Sequence, residues 1–167
     1  MIKNKKIKLH LDIINDHNLL DIPSENQILN WLCSVLNYEK ITKASVSITY
    51  LLDDEMKKIN FQFRNKQKST NILSFPFDPP PGLPDNILND NFLGDLIICP
   101  SILVKEAAEQ EKLLNNHQAH IFIHGLLHLL GYDHIEPSEQ KTMETIEINL
   151  LKQFDIPNPY DSEAING

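Results

Sequence analysis

Arginine is almost missing from this sequence: of 15 basic residues in 167, only Arg64 is an arginine and the rest are lysines. Together with abundant Ile and Asn, that bias fits drift in an AT-rich genome, so the surface lysines carry little design. Cysteine is scarce as well. Cys33 and Cys99 are too few for a disulfide framework and form no Cys-x-x-Cys pair, which excludes a disulfide-stapled secreted scaffold. No run approaches the roughly 18 apolar residues of a membrane span. The lysine-rich start, Lys3 to Lys8, runs into polar–apolar alternation and not into a signal-peptide core. These absences predict a cytoplasmic protein without a membrane partner. Positive charge is also in deficit, since 23 acidic residues leave a net charge of -8, and taken as an average that argues against nucleic acid.

What is present describes a folded chain. Hydrophobic residues make up 41%, charged residues 23%, and the length of 167 residues is that of one domain, 1–167, able to bury a core. Residues 6–14 place Ile7, Leu9, Leu11 and Ile13 on one face, which predicts a half-buried strand. Ser24 and Gln27 form a capping box for a helix running to about residue 38. Residues 44–51 alternate again, with Ala44, Val46, Ile48 and Tyr50 on one side. Asp53 is suited to cap a short helix that turns Met56, Ile59 and Phe63 inward. NILSFPF at 71–77 alternates, but Pro76 lacks a donor and points to an edge strand. Residues 78–91 read as an exposed loop, LGDLIIC at 93–99 as a central strand, and Pro100 as the start of a helix to about 115. Two further helices follow, at roughly 116–130 and from Pro137 onward.

Five of the seven histidines lie between positions 117 and 134, in HQAHIFIHGLLHLLGYDH. His124 and His128, four apart on a helix, stack on one face where both reach a single ion. Gly131 is free to end the helix in the left-handed conformation and turn the chain back to deliver His134. Three imidazoles from two segments with an open fourth position have the form of a catalytic zinc site, whereas closed structural sites use four protein ligands. Ordinary hydrogen-bonded histidines are the competing explanation. It fails for this trio because Ile121, Phe122, Ile123, Leu126, Leu127, Leu129 and Leu130 make the helix apolar on nearly every face, where an unpaired imidazole costs about 1–3 kcal/mol. His120, one turn earlier, is placed to orient a ligand or a substrate, or to serve the structure alone.

The spacing His-x-x-x-His-x-x-Gly-x-x-His is shared with metzincin peptidases, which carry a glutamate base directly after the first histidine. Here that position is Gly125, which accepts no proton, so peptide hydrolysis is disfavoured and a phosphodiester fits better. Lys57, Lys58, Arg64, Lys66 and Lys68 are the only charged residues between 57 and 77. Lysines there read as solvated surface, with Lys66 and Lys68 the nearest candidates for contact with substrate. Arg64 differs, because a planar bidentate guanidinium matches a phosphate, and we expect it to hold the scissile group while the metal supplies polarisation and bound hydroxide. Asp133 is open to three roles: orienting His134, acting as base toward bound water, or capping the turn before Pro137.

HGLLHLLGYDH, with FRNKQKSTNILSFPF and GDLIIC upstream and Pro159-Tyr160 downstream, resembles the YbeY family of bacterial rRNA maturation factors, metal-dependent endoribonucleases specific for single strands. The resemblance implies an α+β fold with a small mixed four-stranded sheet and about five helices. It further implies one zinc ion on His124, His128 and His134, a functional arginine at Arg64, and action on single-stranded precursor at the 3′ end of 16S rRNA in ribosome quality control. The small ribosomal subunit and its assembly factors are the implied partners. A metzincin-like peptidase and a non-catalytic assembly factor with structural zinc are the alternatives.

Overall fold

A computed structural model describes residues 6–79, 81–82, 91–133 and 135–161. The opening alternation becomes strand β1 (Lys8–Ile14), and the 44–51 alternation becomes β2 (Lys43–Tyr50), with helix α1 (Glu25–Tyr38) between them. The capping box at Ser24 forms as the sequence predicts: Gln27 N–H donates to the Ser24 hydroxyl, and Ser24 N–H donates to the Gln27 side chain. Helix α2 (Asp53–Arg64), strands β3 (Ile72–Pro76) and β4 (Phe92–Ile98), and helices α3 (Pro100–Glu109), α4 (Leu114–Leu129) and α5 (Pro137–Lys152) complete the order.

The strands form one mixed sheet in the order β1-β2-β4-β3. β1 and β4 run parallel to β2, while β3 is antiparallel to β4 at the edge, where Pro76 costs no ladder donor on the outer side. Both faces of the β3–β4 half are apolar. On one face Leu96 and Ile98 join the main core with α1 and α4, where the rings of Trp31 and Phe122 lie 5.8 Å apart. On the other, Leu73 and Cys99 pack with Met56 of α2 in a smaller cluster. Helix α4 runs through the middle, in contact with α1, α3, α5, β3 and β4. Gly125 makes that approach possible, because a Cβ there would sit 2.5 Å from Ile72 Cδ1 and 3.0 Å from Leu96 Cδ2.

Three local expectations need correction. Asp53 is the first helical residue and not the cap; Glu55 Oε1 instead accepts the Leu52 N–H at 3.0 Å, and three acids in the first turn complement the helix dipole. Phe63 does not turn inward but stays 60% exposed, edge-on to Phe75 at 5.3 Å, because the last turn of α2 covers only the small cluster at the sheet edge. Helix α3 stops at Glu109 and not near 115, closed by Glu111 at φ 55 and by Lys112 N–H donating to the Ala107 carbonyl. Of the 78–91 loop, residues 80 and 83–90 lie outside the described residues.

Candidate metal centre and cleft

Helix α4 carries His117, His120, His124 and His128 along one stripe, and its other faces are buried in the core. Helix α5 packs against it and turns Met143, Ile146, Glu147, Leu150 and Leu151 inward. One member of that stripe is an acid. Glu147 is fully buried and meets the histidine row directly. His124 Nδ1–H donates to Glu147 Oε2 at 2.5 Å, His120 Nε2 lies 3.3 Å from Oε1, and the Tyr160 hydroxyl donates to the same Oε1. Burial works against ionisation of Glu147, but the hydrogen bonds and charge of His120 and His124 outweigh it and hold its carboxyl down at about 2. Burial pushes His120 the other way, toward the neutral imidazole, against the pull of Glu147.

A carboxylate accepts only, so in the neutral imidazole the His124 proton sits on Nδ1 and its Nε2 carries a lone pair and no proton. That Nε2 is 3.0 Å from His128 Nε2. Two nitrogens bound tetrahedrally to one zinc at about 2.0–2.1 Å would be roughly 3.3 Å apart, so the pair is close to ligating geometry. His120, His124 and Glu147 also bring one ligand atom each within 4.8 Å of one another, a His/His/Glu group able to hold a metal ion. Within that group the 2.5 Å contact from Glu147 to His124 Nδ1 is a hydrogen bond, too short for two ligands of one ion. An ion shared by His124 and His128 would therefore lie on their Nε2 side, with Glu147 hydrogen-bonded to His124 on the opposite side. His134, the third ligand expected from the sequence, lies outside the described residues.

The turn after α4 is held at both ends. Gly131 takes φ 101, its N–H donates to the His128 carbonyl, and Tyr132 N–H donates to the Leu127 carbonyl, the paired bonds of a Schellman ending. The Tyr132 hydroxyl then donates to Glu39 at the end of α1 at 2.5 Å, and this bond, with burial, pushes the phenol up to about 12.

Beside the histidine pair lies a cleft of about 680 Å³. Arg64, Asn71, Ser74, His124, His128 and Asp133 are among the residues that line it. Arg64, the last residue of α2, is exposed there, and its side chain makes no hydrogen bond or ion pair to another described residue. Lys66 and Lys68 are exposed in the segment after α2 and are not among the lining residues. His120 is turned away from the cleft toward a second cavity, about 430 Å³, shared with His117 and residues 156–159. His117 Nε2–H donates to Glu106 at 2.9 Å, and Asn71 of the cleft wall donates to the same oxygen at 3.0 Å.

The sequence reading missed Glu147, and it took Tyr160 only as part of the Pro159-Tyr160 tail, with no role at the site. A signal existed for Glu147: it occupies an apolar-stripe position between Met143, Ile146 and Leu150, where a lone acid has to find partners. Nothing in the local pattern marks Tyr160.

An α+β chain with histidines and a buried carboxylate able to hold a metal, beside a cleft lined by an arginine, has the make-up of a metal-dependent hydrolase. A profile of the endoribonuclease YbeY family matches residues 12–155. Proteins named endoribonuclease YbeY from Francisella tularensis subsp. tularensis and subsp. novicida are each 51% identical, over 99% and 95% of this chain and 98% of their own length. The solution structure of a Thermotoga maritima protein shares the fold, with TM-score 0.53 at 20% identity over 93% of this chain and 95% of that one. The chain belongs to the endoribonuclease YbeY family, which makes it a nuclease whose substrate class is RNA. Among the described residues no helix is long and apolar enough to cross a membrane.

Proposed function

We propose that this chain is a single-domain, zinc-dependent endoribonuclease of the cytoplasm that cuts single-stranded rRNA precursor in 16S 3′-end maturation and ribosome quality control, guided by the small ribosomal subunit. The observation that carries this reading is the facing Nε2 pair of His124 and His128 in one cleft with Arg64. His124, His128 and His134 hold the ion, which when bound polarises the phosphodiester and activates the attacking oxygen. Arg64 grips the scissile phosphate through two parallel N–H donors and stabilises charge as it builds. Glu147 keeps His124 in the ligating tautomer, and His120 supports Glu147 from behind. Asp133 lines the cleft within one residue of His134, where it steadies the turn, while Lys66 and Lys68 attract the flanking RNA backbone at longer range.

The peptidase alternative is weakened by Gly125, which faces Ile72 and Leu96 and leaves no room for a glutamate base. A purely structural zinc is weakened by the open cleft beside the histidine pair. The test offers single-stranded RNA and peptides to the metal-loaded protein and to His128→Ala. RNA cleavage lost in His128→Ala, with peptides untouched, is the expected result. Peptide cleavage alone would establish the peptidase, and cleavage of neither by metal-loaded protein would leave a structural zinc.

A further inference from the structure

Glu147 has two oxygens, and only one of them serves His124. Rotation about the bond to a carboxylate is broad and roughly two-fold, so a carboxylate held at one oxygen alone swings through a wide range of orientations. Here the second oxygen is held too: Oε1 accepts the Tyr160 hydroxyl and lies 3.3 Å from His120 Nε2, which is itself 3.1 Å from the Tyr160 oxygen. The ring of Tyr160 stands edge-on to His120, at 84° with centroids 5.2 Å apart.

Tyr160 reaches this point from a tail that the end of α5 folds back. Asp155 takes φ 57, Ile156 is buried with its N–H donating to the Leu151 carbonyl, and Lys112 Nζ donates to the Pro159 carbonyl at 2.8 Å. The tail is thus pinned just before Tyr160. The residue as a whole remains 41% exposed, so it adds little to the core, and its hydroxyl is the end that reaches the buried carboxylate.

We propose that Tyr160 is a positioning residue for the metal site: its hydroxyl clamps Glu147 Oε1 so that Oε2 is presented to His124 Nδ1, which fixes the tautomer with the proton on Nδ1 and none on Nε2. The inference rests on the reading of His124 and His128 as ligands. Removing a group that orients a metal ligand directly lowers metal affinity about 10–100-fold, and Tyr160 acts one step further out, so Tyr160→Phe is expected to lower it roughly three- to tenfold.

The experiment titrates zinc against a competing chelator in wild type, Tyr160→Phe, Glu147→Gln and the double variant, and reads the His124 ring ¹⁵N shifts of the zinc-free proteins. Phe keeps the ring and its contacts, so the zinc-free Tyr160→Phe protein still folds cooperatively, losing only the stability of one hydrogen bond. Its affinity falls, its His124 proton spreads onto Nε2, and Tyr160→Phe adds no further loss in the Glu147→Gln background. Equal affinity or an unchanged tautomer in Tyr160→Phe, or full additivity with Glu147→Gln, would overturn the positioning role. If His128→Ala binds zinc as tightly as wild type, the ligand reading itself fails. An unshifted His124 tautomer in Tyr160→Phe would sink the clamp without touching that reading.

Discussion

The two nitrogens of His124 do different work, and one buried acid on another helix separates them. Glu147 takes the proton side at 2.5 Å, and the lone-pair side is turned toward His128. Glu147→Gln places an amide where a carboxylate stood, weakening the demand for a proton on Nδ1, and zinc affinity measured by chelator competition is expected to fall about 10–100-fold. Arg64→Lys keeps the charge but loses the fork. RNA cleavage by that variant is expected to drop at least about tenfold, the scale of one charge-assisted contact in a transition state, and a full rate would remove the bidentate role. At this scale the sequence was informative where spacing itself is the chemistry. That His124 and His128 face each other was legible because residues four apart on a helix share a face, whereas only the fold brings Arg64 to the cleft they line. Glu147 was not legible, because its partners are 23 and 27 positions away on another helix and only packing brings them together.

Helix α4 and the turn that follows carry the site. The ending at Gly131 was readable from a glycine after an apolar run, and the structure has it at φ 101 in a Schellman turn. Among the described residues an added Cβ would meet nothing within 4 Å, so the penalty expected of Gly131→Ala is conformational. Urea unfolding is expected to register about 1–2 kcal/mol, and an unchanged midpoint would contradict the strain. The same pair of bonds ends α3, but with Glu111 in the left-handed position. No glycine or proline marks residues 110–113, which is why the helix reads as running on. Glu111→Gly is expected to raise stability by about 1 kcal/mol in the same measurement, the opposite sign from Gly131→Ala. Strand alternation and the capping box at Ser24 survive folding because each is settled within its own segment. The inward turn expected of Phe63 does not, because it depends on how far α2 extends beyond the sheet edge.

For the whole molecule, a net charge of -8 no longer weighs against RNA once its distribution is considered. Positions 57–77 hold five basic residues and no acid, while positions 132–167 hold eight acids against two lysines, so the average hides a stretch of the sequence whose charges are all positive. Stability should follow both acid and metal. The carboxyl of Glu147 is held at about 2, below its ordinary 4.5, so its contribution is complete above about pH 4.5 and is lost as the pH falls toward 2. Acid unfolding of the zinc-free protein should show this loss, and Glu147→Gln should flatten it. Free zinc at about 1,000 times its dissociation constant is expected to add about 4 kcal/mol, and chelator should remove it as a lower Tm. The central claim concerns which nitrogens take the ion. Anomalous diffraction at the zinc edge measures that directly: the prediction is an ion about 2.0–2.1 Å from Nε2 of both His124 and His128, with Glu147 bound to His124 and not to the metal. An ion found among His120, the Nδ1 of His124 and Glu147 would contradict it.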